Sequence, residues 1–180
     1  MLERLIAAGY GGQGLMFTGK LIAWAMMNRG FQVTYIPSYG AEVRGGTANC
    51  HVVVSSERIH SPIVEEADSL LIMNEPSLAR YADTLAKGGR IFLNTSMVAA
   101  DKVPAGRTVV AVPATEIASS LGDVRVANMV MLGAYNAVKE LLSLEALRGA
   151  VENATGSKGR AMLDTNFAAV ERGAAAVRGA

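Results

Sequence analysis

The chain is predicted to be α/β: a mostly parallel sheet with helices on both faces, continuing into a helical C-terminal part, in one domain over residues 1–180. Three observations point there. Short apolar runs alternate with stretches of helical periodicity through the first two thirds of the chain. Glycine clusters fall at the junctions, as in Gly9-Tyr10-Gly11-Gly12-Gln13-Gly14 and Arg44-Gly45-Gly46. After Pro113 the pattern is helical almost throughout. With 51% apolar and 18% charged residues in 180, the chain has the means to bury one sizeable core.

Residues 5–8 form a short apolar run bounded by glycine, the mark of a buried strand. Residues 13–29 carry Leu15, Leu21, Ile22, Ala25 and Met26 at helical spacing, and Gly30 ends that helix. Residues 31–36 read as a second strand, so strand, glycine loop, helix, strand and glycine loop follow in turn, as at the opening of a parallel sheet. Alternation over 48–55 predicts a third strand, with 58–62 as a turn and short extension. Residues 69–73 are a further buried strand. Pro76 is placed to start a helix running to about residue 86, Gly88-Gly89 punctuates it, and 90–93 resumes strand character. Residues 108–112 are the last strand, stopped by Pro113. Helices are expected over 114–121, 126–142, 144–153 and about 163–177.

Composition excludes several classes of function. A formal net charge of +1, with no local cluster of Lys and Arg, gives nucleic acid nothing to grip. The single cysteine, Cys50, rules out a disulfide within the chain and cannot hold an iron–sulfur cluster or a four-cysteine zinc site. Alternation places Cys50 and His51 on opposite faces of their strand, against a Cys/His catalytic pair, and His51 and His60 lie in no metal-binding pattern. No apolar stretch approaches the roughly 20 residues of a membrane span, because Asn128 and Gly133 interrupt the run over 126–135. Glu3 and Arg4 interrupt any leader-like start, so a cytoplasmic location is expected.

Gly9, Gly11 and Gly14 satisfy G-x-G-x-x-G between a strand and a helix, a Rossmann-like setting in which backbone N–H groups and a helix N-terminus can hold a phosphate. The glycines equally permit a tight turn and close helix–sheet packing. A dinucleotide site also needs an acid some 20 positions on, where this chain has Val33-Thr34-Tyr35-Ile36, and no P-loop lysine follows Gly14. Gly12 belongs to the same loop, and Gln13 stands where it could touch a ligand or cap the helix.

The second loop, expected beside the first, lies in the run Pro37-Ser38-Tyr39-Gly40-Ala41-Glu42-Val43-Arg44-Gly45-Gly46-Thr47-Ala48-Asn49. Arg44 can grip a carboxylate or phosphate with two parallel hydrogen bonds; a pair with Glu42 or a subunit contact explains it as well. Glu42 fits orientation of Arg44 better than proton transfer. Ser38 and Tyr39 offer hydroxyls to a ligand, or serve the turn. The candidate binding set is therefore Gly9, Gly11, Gly12, Gln13, Gly14, Ser38, Tyr39, Gly40, Glu42, Arg44, Gly45, Gly46, Thr47 and Asn49, with no catalytic residue and no metal ligand assigned.

On these two loops, together with Ser61-Pro62, Asn74-Glu75-Pro76-Ser77-Leu78, Asn94, Asn128 with Gly133-Ala134, and Asn166-Phe167, the chain resembles the gamma subunit of 2-oxoacid:ferredoxin oxidoreductases, the pyruvate/ketoisovalerate oxidoreductase domain. Arg44-Gly45-Gly46-Thr47-Ala48-Asn49 looks most like the 2-oxoglutarate and 2-oxoisovalerate branches. The resemblance implies a complex that decarboxylates a 2-oxoacid on thiamine diphosphate and magnesium, passes electrons through iron–sulfur clusters to ferredoxin, and transfers the acyl group to coenzyme A. In this chain Gly122-Asp123-Val124 breaks the Gly-Asp-Gly motif of thiamine-binding subunits. Those cofactors therefore belong to alpha, beta and delta partners, and the isolated chain is expected to bind none and to be inactive, with self-association open. The rival reading is a stand-alone nucleotide- or coenzyme-A-binding α/β module without a redox role.

Overall fold

The computed structural model describes residues 1–39, 46–155 and 160–178, and Gly40, Ala41, Glu42, Val43, Arg44 and Gly45 lie outside the described residues. Six strands, β1 (Leu2–Tyr10), β2 (Gln32–Tyr39), β3 (Thr47–Ser55), β4 (Ala67–Ile72), β5 (Leu85–Asn94) and β6 (Thr108–Val112), form one sheet in the order β2-β3-β1-β4-β5-β6. The helices are α1 (Leu15–Asn28), α2 (Glu75–Tyr81), α3 (Ala114–Ser120), α4 (Ala127–Lys139), α5 (Leu144–Thr155) and α6 (Arg160–Ala176).

The mostly parallel sheet expected from the sequence is present, with one correction. β1, β4, β5 and β6 pair in parallel, but β3 is antiparallel to both of its neighbours, β1 and β2. The first two strands thus point the same way without touching. A parallel crossover needs a dozen or more residues, and the link from Tyr39 to Thr47 is too short for one, so β3 folds back as a hairpin partner and takes the place beside β1.

Two other boundaries differ. The helix that holds Pro76 has only seven residues, about two turns, followed by a 3₁₀ turn over Ala82–Thr84, and β5 already begins at Leu85. Leu85 pairs with Ala67 and Arg90 with Ser69, so residues 86–89 bulge from the ladder, with Gly88 at φ +81 supplying the bend. α4 stops at Lys139, where Glu140 takes a left-handed conformation at φ 52.

The central strands read as continuous apolar runs because both faces are covered. Leu5, Ala7, Leu71, Met73, Phe92 and Val112 pack under α1, α3, α4, α5 and α6, while Ile6, Ala8, Leu70, Ile72, Ile91 and Leu93 pack under α2, Val64 and Val98. α4 and α6 meet backbone to backbone: a Cβ on Gly133 would strike the carbonyl of Val170, and one on Gly173 the carbonyl of Val130. At the lower end of the sheet a buried carboxylate fixes α4. Glu3 Oε1 accepts hydrogen bonds from Ser69 Oγ at 2.7 Å and Tyr135 Oη at 3.0 Å, and Oε2 pairs with Lys139 Nζ at 2.6 Å. No described helix is long and apolar enough to cross a membrane.

Candidate functional site

α1 leaves the C-terminal end of β1 for one face of the sheet, and α2 leaves the end of the adjacent strand β4 for the other. Ligands of open α/β sheets sit in the crevice such a divergence creates. Both glycine-bearing motifs border it. β1 and β3 stay paired to Tyr10 and Thr47, and the Gly11 N–H donates to the Gly46 carbonyl at 2.8 Å. The described flanks of the two loops are therefore neighbours, as the sequence led one to expect. Gly40, Glu42, Arg44 and Gly45, the chemical centre of the second loop, lie outside the described residues.

The glycines of the first loop do different things. Gly9 is required by close approach: a Cβ there would collide with Gln13 Oε1 and lie 2.8 Å from Leu15 Cδ1 and 2.9 Å from Met73 Cβ. Gly14 caps α1 at φ 75, and a Cβ on it would stand 2.5 Å from Asn128 Nδ2. Gly12 is left-handed at φ +99 but faces open space. Gln13 folds back so that its Oε1 accepts the Tyr10 N–H at 2.6 Å, which makes it a brace of the turn. Among the described residues no side chain caps α1, and no acid occupies its first turn, so the positive end of its dipole suits an anion.

In the second motif, Ser38 and Asn49 face each other across β2 and β3, Asn49 pairs with Ala8 of β1, and Tyr39 is exposed. Asn49 is 6% exposed. Cys50 turns to the opposite face, against Gly19, with Sγ 3.5 Å from the Leu15 carbonyl; burial pushes its thiol up to about 12. His51 lies on the other face, where Nδ1 accepts the Val64 N–H at 3.1 Å; burial first, then the charge of Arg80, lowers its pKa. The two side chains are separated by the sheet, as alternation required.

Three buried asparagines that sequence reasoning quoted only as part of a pattern organise this edge. Asn128, at the start of α4, donates to the Gly14 carbonyl at 3.1 Å and to Thr18 Oγ1 at 3.3 Å. Asn94, ending β5, accepts the Ala114 N–H at 3.1 Å and donates to Thr115 Oγ1 at 2.9 Å, capping α3. Asn74, just past β4, caps α2 by accepting the Ser77 N–H at 2.9 Å. An Asn at a strand end immediately before a helical pattern was the signal available for Asn74, whereas Asn94 caps a helix that begins twenty residues further on, past β6. Asn166 instead bonds within its own helix, to the Met162 carbonyl, and Phe167 lies under Arg148.

Among the described residues no group of three or more His, Cys, Asp and Glu is placed to hold a metal. A hollow of about 740 Å3, lined by Arg4, Ser55, His60 and Glu66 among others, opens beside the start of β1, at the end of the sheet away from the glycine loop.

A glycine-loop α/β sheet with a second motif hairpin joined to its glycine-loop edge defines the class of protein. Residues 4–176 match the model of the pyruvate ferredoxin/flavodoxin oxidoreductase family, and the chain belongs to that family. It is 41% identical over 172 residues to the ketoisovalerate oxidoreductase subunit VorA of Methanothermobacter thermautotrophicus, an alignment covering 95% of this chain and 35% of VorA. The chain thus spans about a third of that relative. A solved gamma subunit of a keto/oxoacid ferredoxin oxidoreductase from Geobacter sulfurreducens superposes with a TM-score of 0.83 at 29% identity, covering 99% of both chains. The 2-oxoglutarate:ferredoxin oxidoreductase of Magnetococcus marinus, solved with 2-oxoglutarate, coenzyme A and succinyl-CoA bound, gives a TM-score of 0.91 at 25% identity, covering 99% of this chain and 31% of that one.

Proposed function

We propose that this chain is the gamma subunit of a cytoplasmic 2-oxoacid:ferredoxin oxidoreductase, a single gamma-type domain that packs beside thiamine-diphosphate subunits. The complex converts 2-oxoglutarate or a branched-chain 2-oxoacid to the acyl-CoA and reduces ferredoxin. The observation that carries the reading is the Gly11-to-Gly46 hydrogen bond, which joins the two family motifs at the one sheet edge where the fold opens a crevice. Similarity to VorA favours the branched-chain substrate; the fold of the 2-oxoglutarate enzyme keeps the second substrate in play.

The described residues do not fit the redox cofactors. Cys50 is buried and its thiol is held protonated, and no acidic cluster suits magnesium diphosphate, so alpha, beta and delta partners hold those groups. The edge does fit coenzyme A, whose phosphates suit the free N-terminus of α1. In this reading Gly11 and Gly12 leave the backbone open to ligand, Gly9 and Gly14 seat the loop against Leu15, Met73 and Asn128, Gln13 braces it, and Ser38, Tyr39, Thr47 and Asn49 border the crevice. Arg44, oriented by Glu42 between Gly40 and Gly45-Gly46, supplies the cation.

Reconstitution tests this. Partner subunits assayed with 2-oxoisovalerate, 2-oxoglutarate and pyruvate should reduce ferredoxin only when this chain is added, and fastest with one of the first two. Full activity without it would remove the chain from the enzyme.

A further inference from the structure

The carboxamide of Asn74 is used at one end only. Its Oδ1 is committed to the Ser77 N–H, which pins the group on the start of α2, while Nδ2 is buried with no acceptor in reach. Asn74 as a whole is 2% exposed. A buried amide donor left unpaired is destabilising, so a second use for it is expected.

Its position gives that use. Met73 hydrogen-bonds through its N–H to the Ala8 carbonyl, and its Cβ lies 2.9 Å from where a Gly9 Cβ would be. Asn74 is the next residue, so it follows the C-terminal end of β4, next to the end of β1 that carries the glycine loop and the start of α1. The other such atom among the described residues, Thr34 Oγ1, is mid-strand on β2 and has no such place.

We infer that Asn74 is a ligand-binding residue of this crevice: its free N–H donates to a phosphate oxygen of a ligand whose charge also faces the start of α1. The inference rests on the coenzyme A reading above and names a residue that the two motif loops do not contain. The donor is sealed from water, so the phosphate reaches it with a small opening of the crevice. An N–H aimed at an anionic oxygen makes a charge-assisted bond, stronger than the same bond to a neutral amide.

Asn74→Asp and Asn74→Ser separate the two ends of the side chain, since both replacements keep an oxygen that caps α2 and both lose the amide donor. Calorimetric titration of the chain in its complex with coenzyme A, adenosine 3′,5′-bisphosphate and pantetheine, and of the chain alone with pyrophosphate, supplies the readouts. Each variant should melt near the parent temperature and bind the phosphate-bearing ligands about tenfold or more weakly, with pantetheine unchanged. Should Asp prove too disruptive to fold, Ser carries the same test. Parent affinity for coenzyme A in both variants would overturn the inference alone and leave Asn74 as a cap with a buried water; a loss confined to pantetheine would overturn the phosphate assignment. If the parent complex ignores coenzyme A, the proposed function loses its ligand. The inference then stands only if pyrophosphate binds the parent and weakens in the variants, and falls if pyrophosphate does not bind.

Discussion

At the scale of single residues, the glycine loop separates backbone freedom from close packing. Gly12→Ala adds a Cβ in open space and pays only for a left-handed residue, about 1 kcal/mol. Gly9→Ala must displace Gln13 and crowd Leu15 and Met73, and overpacking of this kind costs about 1–3 kcal/mol. Denaturant midpoints of the two variants should therefore fall in the order parent, Gly12→Ala, Gly9→Ala. The reverse order would mean the loop is not packed as described.

His51 gives a pH dependence with a fixed sign. Its Nδ1 must be unprotonated to accept from Val64, and burial with Arg80 nearby lowers its folded pKa below the unfolded value of about 6.5. A His depressed on folding contributes stability that is present above the unfolded pKa and lost as pH falls through the folded one. Asp68 and Asp123, both lowered chiefly by their Arg4 and Arg125 partners against the cost of burial, lose their contributions only further down, below about 4. Unfolding free energy of the parent should decline as pH falls below about 6.5, and His51→Gln should flatten that slope. Parallel slopes would clear His51 of the effect. Cys50, by contrast, should resist alkylation in the folded protein at neutral pH, since its thiol is buried and titrates at about 12.

At the scale of elements, α4 is the member that ties the glycine-loop edge to the rest of the sheet. Its first turn holds the Gly14 carbonyl through Asn128, and its last turns hold Glu3 through Tyr135 and Lys139. Tyr135 also sits edge-on to Phe92, with ring centroids 5.2 Å apart. Between these clasps, Gly133 and Gly173 let α4 and α6 touch at the backbone. Gly133→Ala and Gly173→Ala must each force the two helices apart against a carbonyl, which cannot swing away as a side chain can. Both should destabilise by more than Gly149→Ala, where a Cβ meets nothing within 4 Å and the better helix propensity of Ala offers a small gain. Thermal melts of the three variants read this directly. Equal behaviour would contradict the α4–α6 packing.

At the scale of the whole molecule, the layers were legible in the sequence and the strand order was not. Leu5 to Ala8, the glycine cluster and the period of α1 fixed the first strand–loop–helix unit, because continuous burial and a helical stripe leave direct marks on residue type. Alternation over β3 marked its two faces correctly, yet nothing in alternation encodes direction or neighbour, so the insertion of β3 between β1 and β2 stayed hidden. Gly88-Gly89 read as punctuation, whereas the ladder absorbs those glycines as a bulge inside β5. Of the site, the glycine loop and its adjacency to Gly46 could be read from motif and context. The roles of Asn128 and Asn94 could not, since each depends on which helix start meets which strand end in space.

The central claim is that this chain works inside a thiamine- and iron-bearing 2-oxoacid oxidoreductase. Affinity purification of the tagged chain from its native cell, with thiamine diphosphate, iron and the co-eluting polypeptides quantified, tests it most directly. The account expects the chain to emerge with partner polypeptides that carry both cofactors and that reduce ferredoxin with 2-oxoisovalerate or 2-oxoglutarate. A chain recovered alone, free of thiamine and iron, while the oxidoreductase activity elutes elsewhere intact, would contradict it.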